Sequence, residues 1–181
     1  MKKKITYIGY WLLVIGFICV SCGPEARLDM VGMFAGTSPT IDERFTESKV
    51  YNDKHGFTTL QAPVDDYRVY VCTDTHVTKT QTRWTHFIDT YRHDPMCPVA
   101  VHLGDIIDAQ NYFDEMYSAY QAVPLNPAKK DTLMAVAGNH DIYFKQWPEY
   151  IKYFKTCYYY FIVETPSGKK DLFVVYDSAD G

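Results

Sequence analysis

Residues 132–141 read TLMAVAGNHD. The first six residues, 132–137, are uncharged and mostly apolar, and they have the length and character of a buried β-strand. A glycine, an amide, an imidazole and a carboxylate follow them. The side chains that follow the run directly are of the kinds that bind metals or transfer protons. The stretch therefore predicts a strand, at about 132–137, that places a functional cluster at its end.

Two earlier stretches repeat this arrangement. Residues 67–76 read YRVYVCTDTH, and residues 98–108 read PVAVHLGDIID. Apolar residues at helical spacing over about 82–91 and 112–122 separate the three strands. Strands that alternate with helices of about ten residues predict an α/β fold with a βαβαβ core and a largely parallel sheet. Because ligands gather at the carboxyl ends of such strands, we expect the three polar clusters to meet there.

The sequence after the third cluster predicts a short helix and a β-hairpin. Pro148 suits the first turn of a helix that runs to about residue 155. Two strand-like runs, 157–165 and 171–177, are joined by residues 166–170, which read PSGKK. A turn-rich linker of this length between two such runs indicates a hairpin.

The residues of the three clusters suggest a metal site. Asp74 and His76 are two positions apart, so on a continuing strand both side chains would point the same way and could share one metal. Asp105 would follow a neighbouring strand about 5 Å away and could reach the same ion or bridge two. Asn139 offers a neutral carbonyl to a second ion. These donors suit a hard or borderline cation such as Mn, Fe or Zn.

Two metal ions about 3.5–4 Å apart generate hydroxide from water near neutral pH and neutralise the charge of a phosphoryl displacement. The clusters therefore favour hydrolysis of a phosphate ester. Each residue also has a purely structural interpretation: Asp74 could cap a turn, Asp105 and Asp108 could begin a helix, and Gly138 with Asn139 could form a turn that needs positive φ. The remaining histidines are expected to be structural or solvated: His55, His86, His93 and His102.

The order of the three clusters resembles the calcineurin-like metallophosphoesterases, whose motifs are DxH, GDxxD and GNH followed by an acid. Here they occur at residues 74–76, 104–108 and 138–141. The resemblance covers residues 67–181 and implies a partial αββα sandwich, with a βαβαβ core and a C-terminal β-hairpin. It also implies a phosphomonoester or phosphodiester substrate.

The resemblance further implies a role for each motif residue. The metal ligands would be Asp74, His76, Asp105 and Asn139, with Asp105 bridging two divalent or trivalent ions. His140 would donate a proton to the leaving oxygen or stabilise the transition state, and Asp108 would hold its ring.

The family's motifs continue with two later histidine blocks, whereas no histidine follows His140 here. We therefore expect a truncated member in which the second half of the fold is missing, the first sheet exposes an apolar face, and the two-metal centre is impaired. One alternative is a catalytically inactive envelope lipoprotein that binds a metal, a ligand or a partner. Another is an α/β lipoprotein with no metal site.

The N-terminal residues resemble a bacterial lipoprotein signal. Three lysines precede an apolar run over residues 5–20, which predicts a signal peptide at residues 1–21. Cys22 follows a small residue and would carry the lipid, anchoring an exported protein to a membrane of the cell envelope. An uncleaved N-terminal anchor is the alternative. Residues 22–66 then predict a tether and an N-terminal extension, within which the apolar piece 57–60 could add a strand.

Composition limits the remaining possibilities. Hydrophobic residues make up 47% of the 181 residues and charged residues 22%, as in ordinary globular domains. The formal charge of −4 and the scattered basic residues argue against nucleic-acid binding through a basic face. After residue 22 the cysteines are odd in number and form no CxxC pair, so no disulfide framework is indicated.

Overall fold

The computed structural model describes residues 38–108 and 112–179. Ser38 begins one compact unit that contains all the described elements. The predicted signal peptide and Cys22 lie outside the described residues. Within the described part of the chain, no helix is both long enough and apolar enough to cross a membrane.

The described elements alternate between helix and strand over most of the chain. In chain order they are α1 (Ile41–His55), β1 (Thr58–Gln61), β2 (Val69–Cys72), α2 (Thr82–His93), β3 (Val99–His102), α3 (Phe113–Ala122), β4 (Leu133–Ala135), α4 (Asn139–Ile142), a 3-10 turn (Tyr143–Lys145), α5 (Trp147–Phe154), β5 (Tyr159–Glu164) and β6 (Lys170–Val175).

The first sheet has the order β2-β3-β4, and all its strands are parallel. Val69 pairs with Val99, and Ala100 pairs with Leu133. The predicted βαβαβ core and α/β class are therefore confirmed. Each strand is shorter than its predicted run at both ends: β2 lacks residues 67–68 and 73, β3 lacks 98 and 103, and β4 lacks 132 and 136–137.

The second sheet has the order β1-β5-β6. Its strands β5 and β6 form the predicted antiparallel hairpin, in which Tyr159 pairs with Val175. Strand β1 pairs in parallel with β5, starting with Thr58 opposite Phe161. The apolar piece at 57–60 thus does contribute a strand.

The two sheets and the helices form three layers. Strand β3 is buried on both faces, as expected for a central parallel strand. Ala100 faces the core shared with α2, α3 and α5, whereas Val99 and Val101 face the core shared with the second sheet. The expectation that the first sheet exposes an apolar face is therefore wrong, because β1, β5 and β6 cover it.

The exposed apolar face belongs to the second sheet. On its outer side Leu172, Val174 and Tyr176 are more than half exposed. The layers are thus helix, sheet and sheet, which is consistent with a partial metallophosphoesterase sandwich.

Helix α1 was not predicted from the sequence. Thr40 caps it: the side chain of Glu43 accepts the Thr40 backbone N–H at 2.8 Å, and the Thr40 hydroxyl accepts the Glu43 N–H at 3.3 Å. The face it buries is polar. Arg44 pairs with Asp177 at 2.6 Å, both side chains being fully buried, and the Ser48 hydroxyl accepts a backbone N–H from the segment before β5. Helix α1 thus contacts both the segment before β5 and the segment after β6.

Candidate metal centre

The loops that follow β2 and β3 run side by side beyond the sheet. The backbone N–H of Asp74 donates to the carbonyl of Gly104 at 3.1 Å, and that of His76 donates to the carbonyl of Asp105 at 3.1 Å. This backbone pairing extends the parallel alignment of the two strands into the loops. It brings the first and second motifs together, as expected from the sequence.

Three residues of these loops adopt left-handed backbone conformations. The φ angles are +54° at Asp74, +45° at His76 and +54° at Asp105. For a residue other than glycine this conformation costs about 1–3 kcal/mol and persists only where surrounding contacts enforce it. Strand β2 ends at Cys72, so the continuing strand that would have pointed both side chains the same way is not present at Asp74 and His76. Their side chains converge because the backbone turns.

The first group of candidate ligands consists of Asp74, His76 and Asp105, whose ligand atoms all lie within 4.8 Å of one another. Nε2 of His76 is 3.5 Å from Oδ1 of Asp74. The hydroxyl of Thr73 donates to Asp74 at 2.6 Å and lowers the pKa of its carboxyl, an effect that the nearby His76 imidazole reinforces. Asp74 is therefore ionised at neutral pH, as a metal ligand must be.

The second group consists of His76, Asp108 and His140, so His76 belongs to both groups. Nδ1 of His140 contacts the main-chain carbonyl of Asp108, and the two imidazole rings meet edge-on with their centroids 4.7 Å apart. The Asp108 carboxylate lies 3.8 Å from Nδ1 of each ring. His140 thus donates to the main-chain carbonyl of Asp108, whereas the Asp108 carboxylate is equally far from the two imidazoles and beyond hydrogen-bond distance of both.

The residues present fit a divalent cation. Nδ1 of His76 is buried and has no hydrogen-bond partner within the described residues. A histidine that binds a metal through one nitrogen commonly donates from the other to a carboxylate. Here the Asp108 carboxylate lies 3.8 Å from Nδ1, on the correct side of the ring but beyond hydrogen-bond distance. Nε2 faces Asp74, so one imidazole and two carboxylates, the second from Asp105, are oriented as a ligand set for a hard or borderline ion.

Asn139 is the first residue of α4 and is half-buried. Its carboxamide makes no hydrogen bond to any residue of 38–108 or 112–179. The next residue, His140, donates its backbone N–H to Oδ1 of Asp105 at 3.0 Å. The residue that follows Asn139 therefore contacts the second motif directly through its backbone.

The glycines of the second and third motifs let two backbones approach closely. A Cβ on Gly104 would lie 2.6 Å from the backbone nitrogen of Gly138, and a Cβ on Gly138 would lie 2.2 Å from Oδ1 of Asp105. Gly104 has a φ of +98°, but Gly138 has an ordinary φ of −95°. The alternative of a turn that requires positive φ at Gly138 is wrong; the position needs glycine because it lacks space.

Asp141 was not assigned a role from the sequence. Its carboxylate is fully buried, and Oδ1 accepts the backbone N–H groups of Ile106 at 2.9 Å and Ile107 at 3.1 Å, while Oδ2 accepts that of Gly138 at 2.9 Å. Burial raises the pKa of Asp141 to about 7, against the opposing effect of these donors. Asp141 therefore ties the third motif to the second. An acid three residues after the helix-capping Gly138 is the sequence signal that could have found it.

The other histidines divide into two kinds. His55, His86 and His93 are exposed on helices, as expected. His102 is fully buried at the end of β3, between the strands and α2.

The sequence matches the model of one known protein family over most of the described residues. The family model of the calcineurin-like phosphoesterases matches residues 67–180. No curated protein matches the sequence significantly. A solved structure, described as the protein of unknown function AQ665 from Aquifex aeolicus, is 22% identical with a TM-score of 0.33. The match covers 64% of this chain and 59% of that one. Since the family model spans more than half of the sequence and includes all three motifs that meet at the site, the chain belongs to the calcineurin-like phosphoesterase family.

Proposed function

We propose that this protein is a metal-dependent hydrolase of phosphomonoesters or phosphodiesters. The observation that carries the proposal is the convergence of Asp74, His76 and Asp105 within 4.8 Å at the carboxyl end of a parallel sheet, inside the region matched by the family model. These residues would hold a Mn, Fe or Zn ion. Such an ion polarises a phosphoryl oxygen and makes water more acidic.

A second ion would rest on Asp105 and Asn139. Asn139 is available for this role because its carboxamide has no hydrogen-bond partner among the described residues. Two protein ligands hold an ion weakly. We therefore expect the second ion to bind less tightly than the first, and the hydrolytic rate of these 181 residues to be reduced.

His140 would transfer a proton to the leaving oxygen. Its Nδ1–H donates to the main-chain carbonyl of Asp108, which fixes the ring and makes Nε2 the nitrogen that exchanges the proton. The side chain is 21% exposed, so a substrate at the metal centre can reach it.

The test is hydrolysis of an aryl phosphodiester and an aryl phosphomonoester with added Mn²⁺. We expect His140→Ala to lower the rate by about 100-fold or more, since a positioned general acid contributes about 10²–10⁴-fold, while Mn²⁺ uptake is retained. Asp105→Asn is expected to lower both rate and uptake. His93→Ala, on the exposed face of α2, is the matched control and should change neither.

Equal rates for the unaltered chain and His140→Ala would remove the enzymatic proposal. Mn²⁺ uptake without hydrolysis would support the second candidate, an inactive metal-binding lipoprotein, which the small ligand set at Asn139 and Asp105 favours. Export and lipid attachment at Cys22 remain predictions from residues 1–22. Incorporation of a labelled fatty acid that is lost in Cys22→Ala would support them.

A further inference from the structure

His102 occupies the last position of β3 and is fully buried. The rings of Trp84 and Phe87, both on α2, lie 5.7 and 6.0 Å from its own, measured between centroids. Burial lowers the pKa of His102 to about 4, so the ring is neutral at physiological pH. A neutral imidazole has one N–H donor and one acceptor nitrogen, and both must be satisfied in this setting.

Both ring nitrogens have partners. The backbone N–H of Gly104 points at Nδ1 at 3.2 Å, and because an N–H can only donate, Nδ1 is the acceptor and the ring proton is on Nε2. Nε2 lies 3.0 Å from the hydroxyl of Thr75, which itself donates to the carbonyl of Ile106 at 2.9 Å. These donors and acceptors form one continuous chain of three hydrogen bonds.

This chain of hydrogen bonds joins the two loops that carry the candidate ligands. Thr75 stands between Asp74 and His76, and Gly104 directly precedes Asp105. All three ligand residues have φ angles of +45° to +54°, a conformation that surrounding contacts must enforce. The His102 ring lies below the loops and contacts both of them, so it supplies such a contact from inside the sheet.

We propose that His102 is a positioning residue of the metal centre, which acts through the Thr75 hydroxyl and the Gly104 N–H to hold Asp74, His76 and Asp105 in a metal-binding arrangement. The inference rests on the proposed function, because it concerns the same cation. It goes beyond the expectation from the sequence, which was that His102 is structural or solvated.

The test is titration of the full chain with Co²⁺, followed by calorimetry and by the visible absorption of the bound ion. Thr75→Val removes the hydroxyl and keeps the side-chain shape, whereas Thr75→Ser keeps the hydroxyl. We expect Thr75→Val to weaken Co²⁺ binding about tenfold and to alter its absorption spectrum, since loss of a supporting partner costs about 10–100-fold in metal affinity. Thr75→Ser should bind within about twofold of the unaltered chain.

His102→Phe should cause a similar loss of affinity, and Thr75→Val added to His102→Phe should cause little further loss, because the two side chains act in one chain of hydrogen bonds. Phe161→Leu, in the core between the sheets, is the control for general destabilisation and should leave Co²⁺ affinity unchanged. If His102→Phe does not fold, the Thr75 pair decides the question.

Two results would overturn the inference, and they are distinguishable. Equal Co²⁺ affinity and spectrum for the unaltered chain and Thr75→Val would overturn the role of His102 and leave the proposed function standing. No Co²⁺ binding by the unaltered chain would overturn the metal centre itself, and the positioning role with it.

Discussion

The carboxylate of Asp105 accepts the backbone N–H of His140, with 3.0 Å between Oδ1 and the nitrogen. A residue proposed to bind metal therefore also fixes the main chain of the residue proposed to transfer the proton. The contact is possible because Gly138 lets the third motif approach the second without an intervening side chain. The metal ligands and the proton donor thus depend on one packing arrangement.

Gly138→Ala tests that arrangement. The added methyl would meet Oδ1 and the backbone nitrogen of Asp105 at 2.2 and 2.3 Å, so the loops must separate. We expect a loss of about 1–3 kcal/mol in the free energy of unfolding and a marked loss of Mn²⁺ affinity, measured by urea denaturation and by titration. Gly56→Ala is the control: its methyl meets nothing within 4 Å, although its φ of +72° will cost some stability. Unchanged Mn²⁺ affinity in Gly138→Ala would contradict the prediction.

Asp141→Asn should destabilise the protein through the backbone of the motif loops. The amide nitrogen cannot accept a hydrogen bond, so at least one buried N–H among Ile106, Ile107 and Gly138 loses its acceptor. Leaving a buried donor unsatisfied costs about 1–3 kcal/mol, but the neutral amide also removes a carboxylate whose ionised form burial disfavours. We therefore expect a loss toward the lower end of this range in urea denaturation at pH 7. Asp65→Asn is the control: its carboxamide oxygen can still accept the exposed Ser167 N–H, so the substitution should cost less than about 1 kcal/mol.

The sequence predicted which residues meet at the site better than how they meet. Adjacent parallel strands that end in polar clusters were sufficient to bring Asp74 and Asp105 together. The left-handed backbone of Asp74 and His76 was not predicted, because Asp and His adopt this conformation more often than most residues but still too rarely to assign it to a given position. His102 was underestimated for a similar reason: its partners are a hydroxyl and a backbone N–H on other segments, which only the fold brings near.

Helix α1 escaped prediction because its buried face is polar. Arg44, Ser48 and Asn52 recur every four residues and point inward, while Phe45 and Val50 are exposed. Apolar periodicity, the main sequence signal for a helix, is therefore absent. The capping box that begins at Thr40 was the signal present in the sequence.

The buried ion pair between Arg44 of α1 and Asp177 tests whether α1 unfolds together with the two sheets. Arg44→Met leaves the fully buried Asp177 carboxylate without its cation, which costs about 3–5 kcal/mol in comparable pairs. We expect a loss of this size in urea denaturation, largely recovered when Asp177→Leu is added. A loss below about 1 kcal/mol would show that α1 can detach while the sheets stay folded.

The buried His102 should also make stability depend on pH. Its pKa is about 4 in the folded chain and about 6.5 when unfolded, so above pH 6.5 the ring is neutral in both states. As the pH falls from 6.5 to 4 only the unfolded chain takes up the proton, and the folded state loses about 3 kcal/mol.

Asp141 contributes in the opposite direction, because its pKa of about 7 when folded lies above its ordinary value and protonation then favours the folded chain. The contribution of His102 to the pH dependence of stability is therefore obtained by comparing the unaltered chain with a variant that lacks this imidazole. We expect the unfolding free energy of the unaltered chain minus that of His102→Asn to fall by about 3 kcal/mol between pH 7 and pH 4. A difference that stays constant over this range would mean that the folded protein accommodates a charged imidazole at His102. The donor assignment to Thr75 and Gly104 would then be incorrect, since a doubly protonated ring cannot accept the Gly104 N–H.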